Sequence, residues 1–444
     1  MWTGLIAFAL VAARSLEAFA ASTPNPKTLT TSFPDPNDDP FYSIPRNIGS
    51  FHPGQVLRNR LVATTVTGRT VKSYQVFYRT TDHQNKAVGT VATIWEPAIP
   101  LDPPKIFSYQ DAEDALNLDC APSWAWVNES SVLEVDLQSD GSIIIPWALS
   151  QGYYVVSADF EGHKSAWLVG LMEGRGVLDG IRSVINFFSL RHAEAALYGY
   201  SGGGHASVWA SSLAAKYAPE VKLVGAAFGG TPVDLLSAYK LLNGSPEALL
   251  AGGAIFGLAS GYPELSATLN SLLTANGKAI AAKLVSENYC INAHQHDFAN
   301  FDFGTLFKTN FLDNSVVKKV LAEESLLMNV SSLTVPVPKF PRFEWHGTGD
   351  VTVPYAPEAQ YVQQQCAKGA DIRFVTFPEL DHSNAYLSGV PGALLFIAEA
   401  FGGALTKVPC GTNIAVPAVG SLEAVGLLGV DANIVLSALL AEGF

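Results

Sequence analysis

Five consecutive residues carry the first chemical signal in this chain: Gly199-Tyr200-Ser201-Gly202-Gly203. A serine in the pattern G-x-S-x-G is the mark of a nucleophile held on a tight turn between a strand and a helix. A side chain at either flanking glycine would clash in such a turn, and the strained turn pushes the hydroxyl out above a sheet. The amide that follows, that of Gly202, then points at the oxyanion that forms when a carbonyl is attacked. Five residues of this kind also arise by chance. Here the apolar stretch Ala195–Tyr198 precedes them, and a helical pattern follows in which Val208, Trp209 and Leu213 can pack back on a sheet.

A serine hydroxyl needs a base, and the base needs an acid. In the fold that uses this elbow the chain order is Ser, acid, His. Of nine histidines, His294, His296, His346 and His382 lie well downstream. His382 is best placed, in the loop Pro378-Glu379-Leu380-Asp381-His382-Ser383 directly after a strong strand pattern. The acid belongs in the loop after the preceding strand, which is Gly347-Thr348-Gly349-Asp350. Asp350 would accept the imidazole N–H, fix its tautomer and stabilise the imidazolium. Asp381 is the rival, but its adjacency to His382 sets it badly for facing the ring. His294 and His296 form an H-x-H pair with no carboxylate or cysteine motif to complete a metal site, so no metal and no cofactor is expected. His205 reads as a packing residue on the helix after the nucleophile, and His346 either as a pocket residue or as strand-end packing.

The second oxyanion donor should come from the loop after Ile106–Tyr109, which reads Gln110-Asp111-Ala112-Glu113-Asp114. A carboxylate there would repel an oxyanion. A carboxyl kept protonated by an apolar setting would instead donate to it. The alternative is a loop of solvated acids with a backbone amide as the donor.

The elements that must hold these residues follow a regular alternation. Tyr74–Tyr78 and Gly89–Trp95 read as paired early strands. Ile106–Tyr109, Tyr153–Ser157, Ala195–Tyr198, Leu223–Phe228, Phe343–His346 and Arg373–Phe377 read as buried strands. Helical patterns such as Gly176–Phe188 and His205–Tyr217 lie between them, so the expected fold is α/β with a mostly parallel, doubly wound sheet. The stretch 232–335 is mostly helical and holds no convincing core strand. It is read as an inserted helical cap, with a helix start at Ser245-Pro246-Glu247, an apolar face of Leu265, Leu269, Leu272 and Leu273, and Gly277 as a C-cap. The expected organisation is residues 1–20 as a signal peptide, 21–50 as an extended arm, 51–231 as the first part of the core, 232–335 as the cap and 336–444 as the second part of the core.

Composition narrows the partners. The chain of 444 residues carries a formal charge of −13, has 48% hydrophobic residues and only 15% charged ones. An acidic surface argues against nucleic acid and anionic membranes. Leu5–Ala13 is apolar but too short to span a bilayer, and Ala18-Phe19-Ala20 has the small-x-small form of a signal cleavage site. No later segment reads as transmembrane; Leu249–Ala259 is apolar but short and interrupted by Gly252, Gly253 and Gly257. Export makes disulfides the expected state of Cys120, Cys290, Cys366 and Cys410, with three pairings open. Asn128, Asn243 and Asn329 begin glycosylation sequons.

With these residues in view, the chain resembles the fungal secretory lipases over nearly its whole mature length. The likeness includes Asp38-Asp39-Pro40-Phe41-Tyr42, Pro104-Lys105-Ile106-Phe107-Ser108-Tyr109-Gln110, Cys120-Ala121-Pro122-Ser123, Gly152-Tyr153-Tyr154-Val155-Val156 and Val337-Pro338-Lys339-Phe340-Pro341-Arg342-Phe343. The resemblance implies an α/β-hydrolase fold with the cap as a lid over a tunnel for one acyl chain. It implies catalysis by Ser201, Asp350 and His382, with Gly202 and the Asp114 side chain as the oxyanion hole. It also implies the pairings Cys120–Cys290 and Cys366–Cys410, and a C-terminal flap for which Val430–Phe444 is the candidate. The expected activity is that of a secreted, monomeric triacylglycerol lipase working at an oil–water interface through an acyl-enzyme. An esterase or deacetylase for a smaller or secondary-metabolite ester is the alternative, and a catalytically silent binding protein of the same fold the least favoured reading.

Overall fold

The computed structural model describes residues 28–30, 33–127, 134–287, 289–294, 296–327, 330, 336–429, 432, 436–437 and 440. The signal peptide expected at 1–20, Asn128, Asn329 and most of the candidate flap lie outside them.

Ten strands form one sheet: β1 Leu29–Thr30, β2 Val56–Thr64, β3 Gly68–Thr81, β4 Ala87–Glu96, β5 Lys105–Gln110, β6 Tyr154–Ala158, β7 Glu194–Tyr200, β8 Lys222–Gly229, β9 Arg342–Gly347 and β10 Ile372–Phe377. Their order is β1-β2-β3-β4-β6-β5-β7-β8-β9-β10. From β6 to β10 every neighbouring pair is parallel, whereas β2, β3, β4 and β6 pair antiparallel. The parallel strands are the apolar runs of the sequence because both their faces are covered. Residues of β5, β6 and β9 are buried throughout.

The helices of seven residues or more are α1 Glu134–Ser150, α2 Gly170–Phe188, α3 Gly202–Tyr217, α4 Leu235–Leu242, α5 Ala248–Gly261, α6 Pro263–Leu272, α7 Ala275–Leu284, α8 Ser315–Glu323, α9 Tyr355–Ala367, α10 His382–Gly402 and α11 Leu422–Leu428. One core lies on the α2–α3 face of the sheet, where Val208, Trp209 and Leu213 pack with Ile181, Val184 and Leu197. The other lies on the α1–α10 face and includes Ile144, Trp345, Leu394 and Phe396. Helix α10 is long and apolar enough to cross a bilayer by length and composition, which the sequence reading did not single out. Its apolar residues Val390, Ala393, Leu394 and Ile397 are spent on this core instead. The described part of the tail, Leu428, Ala432, Leu436 and Leu440, joins the same core.

Between β8 and β9 the described residues add no strand to the sheet, and α4 to α8 form a third apolar cluster together with Trp167, Val169 and Met172. Helix α5 can lie close to the core because glycines form its contact face. A Cβ on Gly253 or Gly257 would come within 2.6 Å of Trp167. The glycines that interrupt this apolar run in the sequence are therefore its packing surface.

Three local expectations change. The helix expected from Ser245 starts at Ala248, after Ser245 Oγ has accepted the Glu247 amide at 3.0 Å. Gly277 is no C-cap: Thr274 caps α7 by accepting the Gly277 amide at 3.0 Å, so Gly277 sits in the first turn of a new helix. A Cβ there would lie 2.4 Å from the Leu306 carbonyl, which is the packing reason for glycine. The arm expected over 21–50 contains β1, paired parallel to β2, and it buries Tyr42 and Ile48 against Phe77 and Val91.

Candidate active site

Four loops at the carboxyl ends of the parallel strands converge on one cavity. Ser201 follows β7 and is held at φ 54°, ψ −121°, a conformation costly for any residue with a side chain. Its amide donates to Gly229 O at 3.0 Å and its carbonyl accepts the His205 amide at 2.9 Å, which fixes the turn from both sides. The glycines are required as expected. A Cβ on Gly199 would lie 2.3 Å from Gly203 O, and one on Gly203 would lie 2.2 Å from Gln110 O. Gly202 opens α3, and the first amides of a helix have no acceptor within it.

Asp350 and His382 meet after β9 and β10. The His382 Nδ1–H donates to Asp350 Oδ2 at 2.6 Å. Asp350 Oδ1 accepts the amides of Thr352 and Val353 at 2.9 and 2.8 Å. Burial alone would raise the Asp350 carboxyl, but the His382 charge and the His346 and His382 hydrogen bonds hold it well below its usual range. The His382 ring packs on Tyr200, ring centres 4.9 Å apart, and the Tyr200 hydroxyl donates to the His382 carbonyl at 2.9 Å. Asp381, the rival acid, does not serve the ring. Its carboxylate caps α10 by accepting the Asn384 amide at 2.8 Å.

Asp114 sits against the elbow. A Cβ on Gly202 would lie 2.1 Å from Asp114 Oδ1, and that oxygen is buried without a hydrogen-bond partner. Asp114 has a positive φ of 41°, so the backbone is bent to bring the carboxyl here. Burial, then the nearby Glu173 charge, push this carboxyl up to about 7, against the opposing pull of His382 and His205. The rest of the acidic loop is buried as well, contrary to the solvated alternative. Ser157 Oγ donates to Asp111 Oδ2 at 2.5 Å, and the Glu161 amide donates to Glu113 Oε2 at 3.3 Å. Burial drives both Glu113 and Glu161 far above the carboxylate range.

Ser201, Gly202 and Asp114 line an apolar cavity walled by α4, α5 and α6, with Leu235, Ala251, Ala254, Leu258, Leu265 and Leu269 among its lining. Its empty space, counted out into the solvent at the mouth, is about 840 Å3. Thr352 and Val353, which follow Asp350, also line it, and Thr352 Oγ1 donates across to Glu247, just before α5, at 2.6 Å. Such a space accepts a long apolar chain with one end at the serine, and the donors around Ser201 suit attack on an ester carbonyl.

Sequence reasoning missed Trp167 and Leu168, which line the cavity from the segment before α2. Leu168 has φ 64°, and its amide is held by Glu173 Oε1 at 2.7 Å, while Glu173 Oε2 pairs with His205 Nδ1 at 2.6 Å. No motif marks that segment. His205 is thus a buried ion-pair partner and more than packing. His346 is also more than strand-end packing, with both ring nitrogens bonded to carboxylates. His294 stacks on Tyr289 and His296 is exposed, and no three-residue metal cluster exists among the described residues. The cysteines pair as Cys120–Cys290 and Cys366–Cys410. Asn243 uses its side-chain amide on Asp302 Oδ1 at 2.7 Å.

The model of the secretory lipase family matches residues 128–407. The chain is 43% identical to Lipase A of Moesziomyces aphidis over 428 residues, 95% of this chain and 92% of that protein. It is 32% identical to the secreted triacylglycerol lipase LIP3 of Malassezia globosa, covering 89% of this chain and 86% of the relative. Among solved structures, Candida antarctica lipase A in its closed state superposes with a TM-score of 0.89 at 43% identity, covering 91% of this chain and 96% of that one. The rice cell wall degrading esterase LipA of Xanthomonas oryzae shares the fold, with a TM-score of 0.59 at 16% identity over 76% of this chain and 94% of that one.

Proposed function

Because this chain belongs to the secretory lipase family, we propose that it hydrolyses triacylglycerols outside the cell, with Ser201 as nucleophile, His382 as base and then acid, and Asp350 as the group that orients His382. Hydrolysis of lipid esters is the activity of the family; the residue roles and the covalent intermediate are our reading. The observation that carries it is the Asp350–His382 hydrogen bond of 2.6 Å, together with a strained Ser201 that opens into an apolar cavity.

In the first half-reaction His382 Nε2 takes the Ser201 proton as Oγ attacks the ester carbonyl. With Nδ1–H committed to Asp350, Nε2 is the free basic nitrogen, and Asp350 stabilises the imidazolium that forms. The Gly202 amide and a protonated Asp114 donate to the oxyanion. The tetrahedral intermediate expels the alcohol, which receives the proton from His382. Water, activated by His382, then attacks the acyl-enzyme by the same route in reverse and releases the fatty acid. The acyl chain lies in the cavity under residues 232–335, which act as the cap. No cofactor enters these steps. The secretory description of the family supports export, with residues 1–20 as the signal peptide.

The test is a serine-directed fluorophosphonate with wild type and Ser201→Ala, followed by rates on tributyrin and triolein emulsions and on a soluble acetate ester. Labelling of wild type alone, with turnover of both emulsions, is expected. Folded wild type that stays unlabelled overturns the nucleophile, and activity confined to the soluble acetate overturns the lipid substrate in favour of a small-ester esterase.

A further inference from the structure

A second histidine lies behind the first, and its surroundings leave little choice of protonation. His346 on β9 is fully buried. Its Nε2 lies 2.9 Å from Asp350 Oδ2 and 3.1 Å from the Val353 carbonyl, and its Nδ1 lies 2.5 Å from Glu358 Oε2. Every neighbour of the ring nitrogens is an acceptor. Asp350 already accepts the amides of Thr352 and Val353 on Oδ1 and the His382 N–H on Oδ2, and Nε2 also faces the Val353 carbonyl, which can only accept. The His346 Nε2 must therefore carry hydrogen. On the other side, one further proton sits between Nδ1 and Glu358, whose Oε2 also accepts the Thr231 amide at 2.9 Å.

We propose that His346 is a positioning residue of the reaction: its ring, protonated on both nitrogens between Asp350 and Glu358, keeps Asp350 as an anion aimed at His382. This rests on the assignment of Asp350 and His382 given above. Two buried carboxylates so close together would otherwise compete for a proton. If Asp350 took it, the acceptor for His382 Nδ1–H would be lost. The cation between them removes that competition and leaves one net negative charge, the one His382 uses. Burial opposes a charged ring, yet the Glu358 charge and the hydrogen bonds to Asp350 and Glu358 win and push His346 up to about 10. The other groups facing this cluster are Tyr355, whose ring lies edge-on 5.6 Å from the imidazole, Tyr200 at the end of β7, and Glu344 with its partner Arg342 on β9. Arg342 is engaged by Glu344 at 3.3 Å. The residue spacing hides this arrangement, because Glu358 belongs to α9, well past the catalytic loop.

The experiment measures kcat, KM and the pH profile on a soluble p-nitrophenyl ester for wild type, His346→Gln, the double variant His346→Gln/Glu358→Gln, and Asp350→Asn, each checked for folding by near-UV circular dichroism. His346→Gln is expected to lose about ten- to a hundredfold in kcat, a part of what a positioned acid–base pair supplies, with KM nearly unchanged. Removing a cation makes Asp350 and His382 easier to protonate, so the acid limb moves to higher pH by about half a unit or more. The double variant also removes the anion and brings the limb back toward wild type while kcat stays low. A role in packing alone would not move the limb. Folded His346→Gln with wild-type kcat and acid limb overturns the proposal, as does an equal limb shift in both variants. If the single variant fails to fold, the 15N shifts of the wild-type His346 ring, assigned by their loss in the double variant, decide: a ring protonated on both nitrogens at pH 7 supports the proposal and a neutral ring refutes it. Asp350→Asn separates the two readings. If that variant keeps full activity, the assignment of Asp350 fails; if it is inactive while His346→Gln is unimpaired, only this inference fails.

Discussion

Replacing Asp114 by asparagine tests a carboxyl that is useful only while it keeps its proton. The oxygen that faces Gly202 is buried and unpartnered, and burial raises the group from its ordinary 3.8 to about 7. In the proposed mechanism the protonated acid donates to the oxyanion below that value, and above it the donor becomes a repelling anion. Loss of one such donor costs about a hundred- to a thousandfold in kcat. Wild-type kcat should therefore fall as pH rises through about 7. The side-chain amide of an asparagine keeps an N–H donor at every pH, so that fall should vanish in Asp114→Asn, while Asp114→Ala should be slow throughout. Stability gives a second readout. The folded carboxyl is raised above its unfolded value, so its contribution is full below 3.8 and is lost as pH climbs toward about 7. The loss amounts to roughly 4 kcal/mol at most. Asparagine does not titrate, so Asp114→Asn should gain on wild type in thermal melts at pH 8 relative to pH 4. An alkaline fall in kcat that persists unchanged in Asp114→Asn, with parallel melting curves at both pH values, would refute the reasoning.

Two further outcomes follow from the cavity and the cross-links. Ala254 lines the apolar cavity proposed to hold the acyl chain, so Ala254→Phe should cut the rate on triolein about tenfold or more while tributyrin hydrolysis stays within about twofold, since bulk in the pocket penalises only chains that reach it; equal losses on both esters would argue that the acyl chain lies elsewhere. The disulfides close loops of 170 and 44 residues, for which chain entropy assigns about 5 and 4 kcal/mol at the upper end. Thermal melts of the paired Cys→Ala variants should show the larger loss for Cys120/Cys290, and the reverse order would show that native-state effects outweigh chain entropy.

The parallel strands were legible because burial on both faces leaves an uninterrupted apolar run, and the chemistry sits where each run ends. Strand β2 was not legible for the opposite reason. Its sequence, Val-Leu-Arg-Asn-Arg-Leu-Val-Ala-Thr, puts arginines where a strand pattern wants apolar residues. The fold employs them under the N-terminal arm: Arg58 lies 4.2 Å over the Phe77 ring, and Arg60 lies 4.2 Å over Phe41 while pairing with Asp39 at 2.7 Å. Gly277 misled because a glycine after an apolar face reads alike at the end of one helix and in the first turn of the next. Trp167, Leu168 and Glu358 reach the site only through tertiary packing, so no local spacing could mark them.

The acidic loop beside the elbow was the point where sequence and chemistry pulled apart, since carboxylates do not belong next to an oxyanion. The contradiction dissolves once the donors around each acid are compared. Asp350 receives four N–H groups and is driven down into permanent ionisation. Asp114 has one oxygen with no partner at all and is driven up. Glu113 and Glu161, whose strongest charged neighbours are other carboxylates, are driven further still. Both outcomes occur in buried settings around one cavity, so burial alone does not choose between them; the supply of N–H donors and cations does. On this view the same residue type supplies the anion that orients His382 and the neutral acid that faces the substrate. Moving a single N–H donor toward Asp114, or removing His346 from Asp350, would push each toward the other's protonation state and cost the reaction in both cases.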